Sequence, residues 1–223
     1  MTDQQPVIHL GQPVYLAGAA LEDARVVMVM LHGRGSDAQS ILMLASDFPY
    51  EGLAFLAPQA DRNTWYPYSF LQPLQANEPY LSSALAAVHD VIEDLERRGI
   101  APERIVLLGF SQGACLALEY AARHARRYGA VIAFSGGLIG DENAPRDYPD
   151  ALEGTPIFLG CSDVDSHIPK ARVLHSESVL TALGADVTMR FYPNMGHTIN
   201  EDELDSARTM LDSLFAQSDS SKE

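Results

Sequence analysis

Ile105-Val106-Leu107-Leu108-Gly109-Phe110-Ser111-Gln112-Gly113-Ala114-Cys115-Leu116 runs from an apolar stretch, through a serine with glycines two positions away on either side, into good helix formers. A strand that turns this sharply into a helix holds its central residue in strained dihedrals, so the positions flanking the turn must lack bulk. Gly109 and Gly113 meet that demand. The turn then pushes the Ser111 hydroxyl out above the sheet at the positive end of a helix dipole, the arrangement of a nucleophile elbow.

The surroundings of the elbow fix the fold class. Val26 to Leu31, Leu53 to Ala57, Ile105 to Leu108, Ala130 to Phe134 and Pro156 to Gly160 read as strands buried on both faces, and Asp186 to Tyr192 alternates toward another. Helical patterns lie between them. Tyr80 to Arg98 carries one apolar stripe and stops at Gly99, Leu174 to Leu183 stops at Gly184, and Asn200 with Glu203 forms a capping pair for a last helix bearing Leu204, Ala207, Leu211 and Leu214. Strands alternating with helices predict an α/β fold with a mostly parallel sheet covered on both sides. Val7 to Leu10 and Val14 to Leu16 read as an antiparallel edge hairpin. Residues 61–79 form an irregular insertion rich in aromatics, and 217–223 read as a frayed polar tail.

At 223 residues the chain is long enough for one domain, and no linker or repeat divides it. Thirty acidic against 15 basic residues give a formal net charge of −15, which disfavours nucleic acid and anionic membrane surfaces as partners. No apolar stretch reaches the roughly 18 residues of a membrane span. The start, Met1 to Pro6, has no signal-peptide character. Cys115 and Cys161 are too few for a disulfide framework and read as core residues of a cytoplasmic protein.

A serine hydroxyl needs a neighbouring base, and an imidazole base needs a carboxylate to hold its tautomer. The later strand ends offer both. Gly160-Cys161-Ser162-Asp163-Val164-Asp165-Ser166-His167-Ile168-Pro169 follows one strand, and Pro193-Asn194-Met195-Gly196-His197 follows the next. His197 is the base that this context selects, while spacing alone leaves Asp163 and Asp165 as rival acids. The tetrahedral oxyanion needs two backbone donors. Gln112, next to the nucleophile, supplies one, and Arg34 in the loop Leu31-His32-Gly33-Arg34-Gly35 fits the other. His32 reads as shaping that loop. The Arg34 side chain either favours carboxylate-bearing substrates or is a plain surface arginine.

Together these residues resemble the phospholipase/carboxylesterase family of α/β hydrolases, which includes acyl-protein thioesterases and is related to dienelactone hydrolase. The resemblance spans nearly the whole chain and implies the α/β-hydrolase fold, with Ser111 as nucleophile, His197 as base, and Arg34 and Gln112 as oxyanion donors. The family's acid stands four residues before a proline, and Asp165-Ser166-His167-Ile168-Pro169 matches that pattern. Two more residues separate Gly160 from Asp165 than in the thioesterase pattern, which keeps Asp163 as the alternative. Asn63-Thr64-Trp65-Tyr66-Pro67 and Asn77-Glu78-Pro79 are closer to bacterial carboxylesterases, and a serine elbow disfavours dienelactone chemistry, which uses cysteine.

The expectation is a serine carboxylesterase acting on small-molecule esters through an acyl-enzyme, with no cofactor and no metal. Trp65, Tyr66, Phe70 and Leu71 are expected to line its substrate pocket, packing against the body of the protein being the other reading. A thioesterase or lysophospholipase acting on longer acyl chains is the enzymatic rival, and a non-catalytic ligand-binding module the other. No stable membrane association is expected, and a homo-oligomer is compatible with the sequence.

Overall fold

The computed structural model describes residues 7–220. Its strands are β1 (Val14–Gly18), β2 (Val26–Leu31), β3 (Leu53–Pro58), β4 (Ile105–Phe110), β5 (Ala130–Phe134), β6 (Pro156–Ser162) and β7 (Asp186–Tyr192). They form one sheet in the order β1-β3-β2-β4-β5-β6-β7. Only β1 runs antiparallel, pairing Val14 with Pro58 and Gly18 with Ala54, and the other pairings are parallel. Every residue of β2 and β3 is buried, which explains their unbroken apolar runs.

The helices are α1 (Ala38–Leu42), α2 (Tyr80–Arg97), α3 (Gln112–Arg123), α4 (Lys170–Ala182) and α5 (Glu201–Ser220). Alternate residues of each strand serve the two faces. Val27, Val29 and Leu31 of β2 pack with α2, α3 and α4, through residues such as Leu81, Leu116 and Val173. Val26, Met28 and Met30 pack with α1 and α5, through Ile41, Leu204, Ala207, Leu211 and Phe215. Fully burying a Val, Leu, Ile, Met or Phe side chain in this way contributes about 1.5–3 kcal/mol. This is the α/β-hydrolase architecture that the sequence predicts.

Three expectations need correction. Val7 to Leu10 forms no strand, because the backbone N–H of His9 donates to Ser83 Oγ of α2 at 2.9 Å and a turn follows at Gln12. Helix α4 begins at Lys170, directly after Pro169, which stands at its N-cap in an extended conformation. Residues 217–220 continue α5, where Arg25 Nη2 donates to the Phe215 carbonyl and to Ser218 Oγ at 3.0 and 2.6 Å. The rest of the expected tail, 221–223, lies outside the described residues, as do Met1 to Pro6.

Asn200 and Glu203 do form the reciprocal cap of α5, with N–H···O distances of 2.9 and 3.0 Å. Phe215 rather than Leu214 completes its buried stripe. Residues 61–79 contain two short 3₁₀ turns, Asp61–Asn63 and Leu74–Asn77, and are otherwise irregular. Buried Asn77 ties this segment together: its Oδ1 accepts the Tyr68 N–H and its Nδ2 donates to the Ser69 carbonyl.

The topology locates a crevice. The chain leaves β2 for β3 on one side and crosses to β4 on the other, so the direction of winding switches between β2 and β4. Ligands of open α/β sheets bind at the carboxyl ends of strands at such a point. Those ends carry Arg34 and Ser111.

Candidate active site

Ser111 sits between β4 and α3 with φ 56° and ψ −118°, a left-handed conformation that an L-residue adopts only when its surroundings hold it there. Two approaches hold it. A β-carbon on Gly109 would collide with the Gly113 carbonyl, and one on Gly113 would collide with the Leu31 carbonyl, so the turn closes only with glycine at both positions. The Ser111 N–H donates to the Phe134 carbonyl of β5 at 2.9 Å, and its own carbonyl accepts the Cys115 N–H at 3.0 Å.

His197 and Asp165 meet this hydroxyl from the loops after β7 and β6. His197 Nε2 lies 2.8 Å from Ser111 Oγ, and Nδ1 lies 2.7 Å from Asp165 Oδ2. With Nδ1–H donating to the carboxylate, Nε2 is free to accept from the serine O–H. The Asp165 side chain is fully buried. Burial opposes its ionisation, but the hydrogen bond from His197 and the backbone N–H groups of His167 and Ile168 outweigh it and hold the carboxyl below the usual range. Asp163, the rival acid, instead accepts the Asn194 N–H at 2.9 Å and braces the two loops against each other. The ring of His197 packs between Phe110 and His167, with centroids 5.0 and 4.8 Å away.

The loop after β2 brings Arg34 to the same rim. Among the described residues, neither the Arg34 nor the Gln112 backbone N–H is spent on another acceptor. Their side chains face the other way and grip residues 65–68. Arg34 Nη1 and Nη2 donate to the carbonyls of Pro67 and Tyr68 at 2.7 and 2.5 Å. Gln112 Oε1 accepts the Trp65 N–H at 2.9 Å and Nε2 donates to the Tyr66 carbonyl at 2.8 Å. The guanidinium is thus anchored to the protein's own backbone through two of its N–H groups, while Arg34 also lines the cleft beside Ser111.

Ser111 opens into a cleft of about 500 Å³ that Tyr66, Phe70, Phe110, Cys115 and Ile168 also line. Two of the four expected lining residues are elsewhere. Trp65 is completely buried behind the cleft, against His9 and His32. Leu71 turns to a separate groove beside Pro169 and Arg172. Both cysteines are buried and free. Burial pushes each thiol up to about 12, the charge of Asp165 adding to the effect at Cys161, so both remain protonated at neutral pH.

A profile of the phospholipase/carboxylesterase family matches residues 19–215, from just after β1 into α5. The chain belongs to this family. A solved structure of the family, the phospholipase/carboxylesterase from Dyadobacter fermentans, is 43% identical and superimposes with a TM-score of 0.88 over 93% of this chain and all of that one. The acyl-protein thioesterase 1 of Gibberella zeae is 34% identical over 125 residues, 55% of this chain and 53% of that protein, so the chain matches about half the length of that relative. The probable carboxylesterase SOBER1-like of Arabidopsis thaliana is 26% identical over 216 residues, covering 89% and 82% of the two chains.

Within this family member, sequence reasoning missed His9 and Cys115 as neighbours of the site. Cys115 stands one helical turn after Ser111, and that spacing already places it on the face below Ser111. His9 has no such local signal, since its partners are 52 to 74 residues away. Among the described residues no cluster of His, Cys, Asp or Glu could hold a metal ion, and no helix is long and apolar enough to cross a membrane.

Proposed function

We propose that this protein is a serine carboxylesterase whose nucleophile is Ser111, whose base is His197 and whose acid is Asp165. The observation that carries the reading is the continuous hydrogen-bonded chain from Asp165 Oδ2 through His197 to Ser111 Oγ, beside two uncommitted backbone N–H groups. His197 Nε2 takes the serine proton as Oγ attacks the ester carbonyl. Asp165 stabilises the imidazolium, and the Arg34 and Gln112 amides receive the negative charge that develops on the carbonyl oxygen. Collapse of this intermediate breaks the bond to the alcohol, which leaves with the proton from Nε2. Water then repeats the sequence on the acyl-enzyme and releases the acid and free Ser111.

The 500 Å³ cleft suits small esters, whereas a long acyl chain needs an extended apolar groove. The relative named acyl-protein thioesterase supports the rival, a thioesterase for longer chains. Two buried, unpaired thiols support a reducing, cytoplasmic setting.

The test is a panel of purified-protein rates: p-nitrophenyl acetate and butyrate against p-nitrophenyl laurate and a long-chain acyl thioester, with Ser111→Ala as control. The short esters are expected to give the highest kcat/KM, and Ser111→Ala to lower it by about 10⁴-fold or more. Preference for the long-chain thioester would favour the rival. Turnover retained by Ser111→Ala would remove the assigned nucleophile.

A further inference from the structure

Trp65 lies outside the cleft, yet it touches both halves of the oxyanion site that the serine-hydrolase reading requires. Its backbone N–H donates to Gln112 Oε1 at 2.9 Å. Its indole Nε1–H donates to the His32 carbonyl at 2.9 Å, and its rings lie against the His32 ring with centroids 5.0 Å apart. His32 in turn holds the Gly33 carbonyl through Nδ1 at 2.9 Å, while Nε2 accepts the Ala60 N–H at 3.1 Å. The Gly33 carbonyl and the Arg34 N–H belong to one planar trans peptide and point in opposite directions. Whatever fixes the carbonyl therefore aims the donor.

His9 holds Trp65 from behind. Its ring is buried, with a centroid 5.6 Å from that of Trp65. Nδ1 accepts the Asp61 N–H at 3.0 Å, so the proton sits on Nε2, which donates to the Trp65 carbonyl at 2.8 Å. One neutral tautomer satisfies both bonds, and burial lowers the pKa of His9, which favours that neutral form. The backbone of His9 is itself tied to Ser83 of α2. A segment near the N-terminus thus grips the loop that grips both donors.

We propose that His9 is a positioning residue of the oxyanion site, acting through Trp65 on the loop 32–34 and on Gln112. This rests on the serine-hydrolase reading above. A donor stabilises an oxyanion only within a narrow range of distance, and displacements of about 1 Å at a reacting centre cost up to about 10²-fold in rate. Loosening Trp65 therefore acts on the transition state and leaves binding of the ground-state ester almost untouched.

The test uses the full chain with His9→Ala, His9→Gln, His9→Asn and Trp65→Phe. Active sites are titrated with a fluorophosphonate, so that kcat refers to reactive molecules alone. Each variant is then assayed for kcat and KM with p-nitrophenyl butyrate and for inhibition by an alkyl trifluoromethyl ketone, whose Ser111 hemiketal places an oxyanion in the site. In His9→Ala, kcat should fall by about 10- to 100-fold with KM within about threefold, and ketone affinity should weaken by a similar factor. Trp65→Phe, which loses the indole N–H together with part of the buried ring, should shift the same two quantities together. Glutamine can place an amide N–H where Nε2 stands and should recover most of the loss, whereas asparagine reaches only the Nδ1 position and should not.

A merely structural role would lower the titratable fraction and leave kcat per titrated site and ketone affinity unchanged, and that result overturns the proposal. So does equal kcat in His9→Gln and His9→Asn, a comparison that stands even if His9→Ala fails to fold. An unsubstituted protein that neither titrates nor turns over ester would bring down the functional reading and this inference with it. Normal turnover with insensitive His9 variants brings down the inference alone.

Discussion

Asp165 gives one carboxylate oxygen to His197 Nδ1 at 2.7 Å and keeps the other for the backbone N–H groups of His167 and Ile168. The carboxylate is thereby fixed in place before it fixes the imidazole. Asparagine at this position is nearly isosteric but can present an N–H to Nδ1, which favours the tautomer with its proton on Nε2. Asp165→Asn should lower kcat by about 10³- to 10⁴-fold with a native circular dichroism spectrum. Asp163→Asn, at a side chain that accepts the Asn194 N–H, should change kcat by less than about tenfold. Steady-state kinetics on the two variants checks the assignment, and the reverse ranking would make Asp163 the acid.

Arg34 contributes its backbone to the proposed oxyanion site and its guanidinium to the carbonyls of Pro67 and Tyr68. Arg34→Ala keeps the amide and releases the loop. An anionic ester, such as a hemisuccinate, and its neutral methyl-capped analogue should therefore lose kcat/KM by the same factor, within about twofold. A selective loss for the anionic ester would show that the guanidinium recognises substrate charge.

Glu203 closes the cap of α5 with Oε2, but its Oε1 is buried without a hydrogen-bond partner, packed over Gly160. Burial raises its pKa to about 7. The folded state therefore binds a proton that the unfolded chain has already released between about pH 4.5 and 7, and stability falls as pH rises through that window. Glutamine keeps the cap and removes the buried charge. Glu203→Gln should leave stability nearly unchanged at pH 4.5 and raise it by about 1–3 kcal/mol at pH 8, from urea unfolding at both values. A variant destabilised at pH 8 would mean that the carboxylate is favourable where it lies.

What the sequence disclosed depends on how far each residue's partners lie along the chain. Strands β2 to β6 were legible because burial on both faces leaves an apolar run that no polar residue interrupts. The elbow was legible because Gly109, Ser111 and Gly113 stand within five residues, although the close approach that Gly113 permits is to the distant Leu31 carbonyl. Asp165 and Asp163 sit on one loop, and only the fold decides which reaches His197, so spacing left both open until the family pattern favoured Asp165. In the first turn of α4 Lys170 and Ala171 are exposed and only Val173 is buried, so no apolar stripe marks it. Trp65 and Leu71 looked like pocket residues because composition shows that an aromatic loop is present but not which way each ring turns. His9 and the continuation of α5 past Gln217 depend on contacts with Trp65 and Arg25 that no local window contains.

In the proposed reaction Ser111 becomes the acylated nucleophile. Incubation with a fluorophosphonate, followed by proteolysis and tandem mass spectrometry, tests it most directly. One stoichiometric adduct is expected, on the Ser111 hydroxyl, formed in parallel with loss of esterase activity and absent from Ser111→Ala. Loss of activity with the adduct on another residue, or undiminished ester hydrolysis by Ser111→Ala, would contradict it.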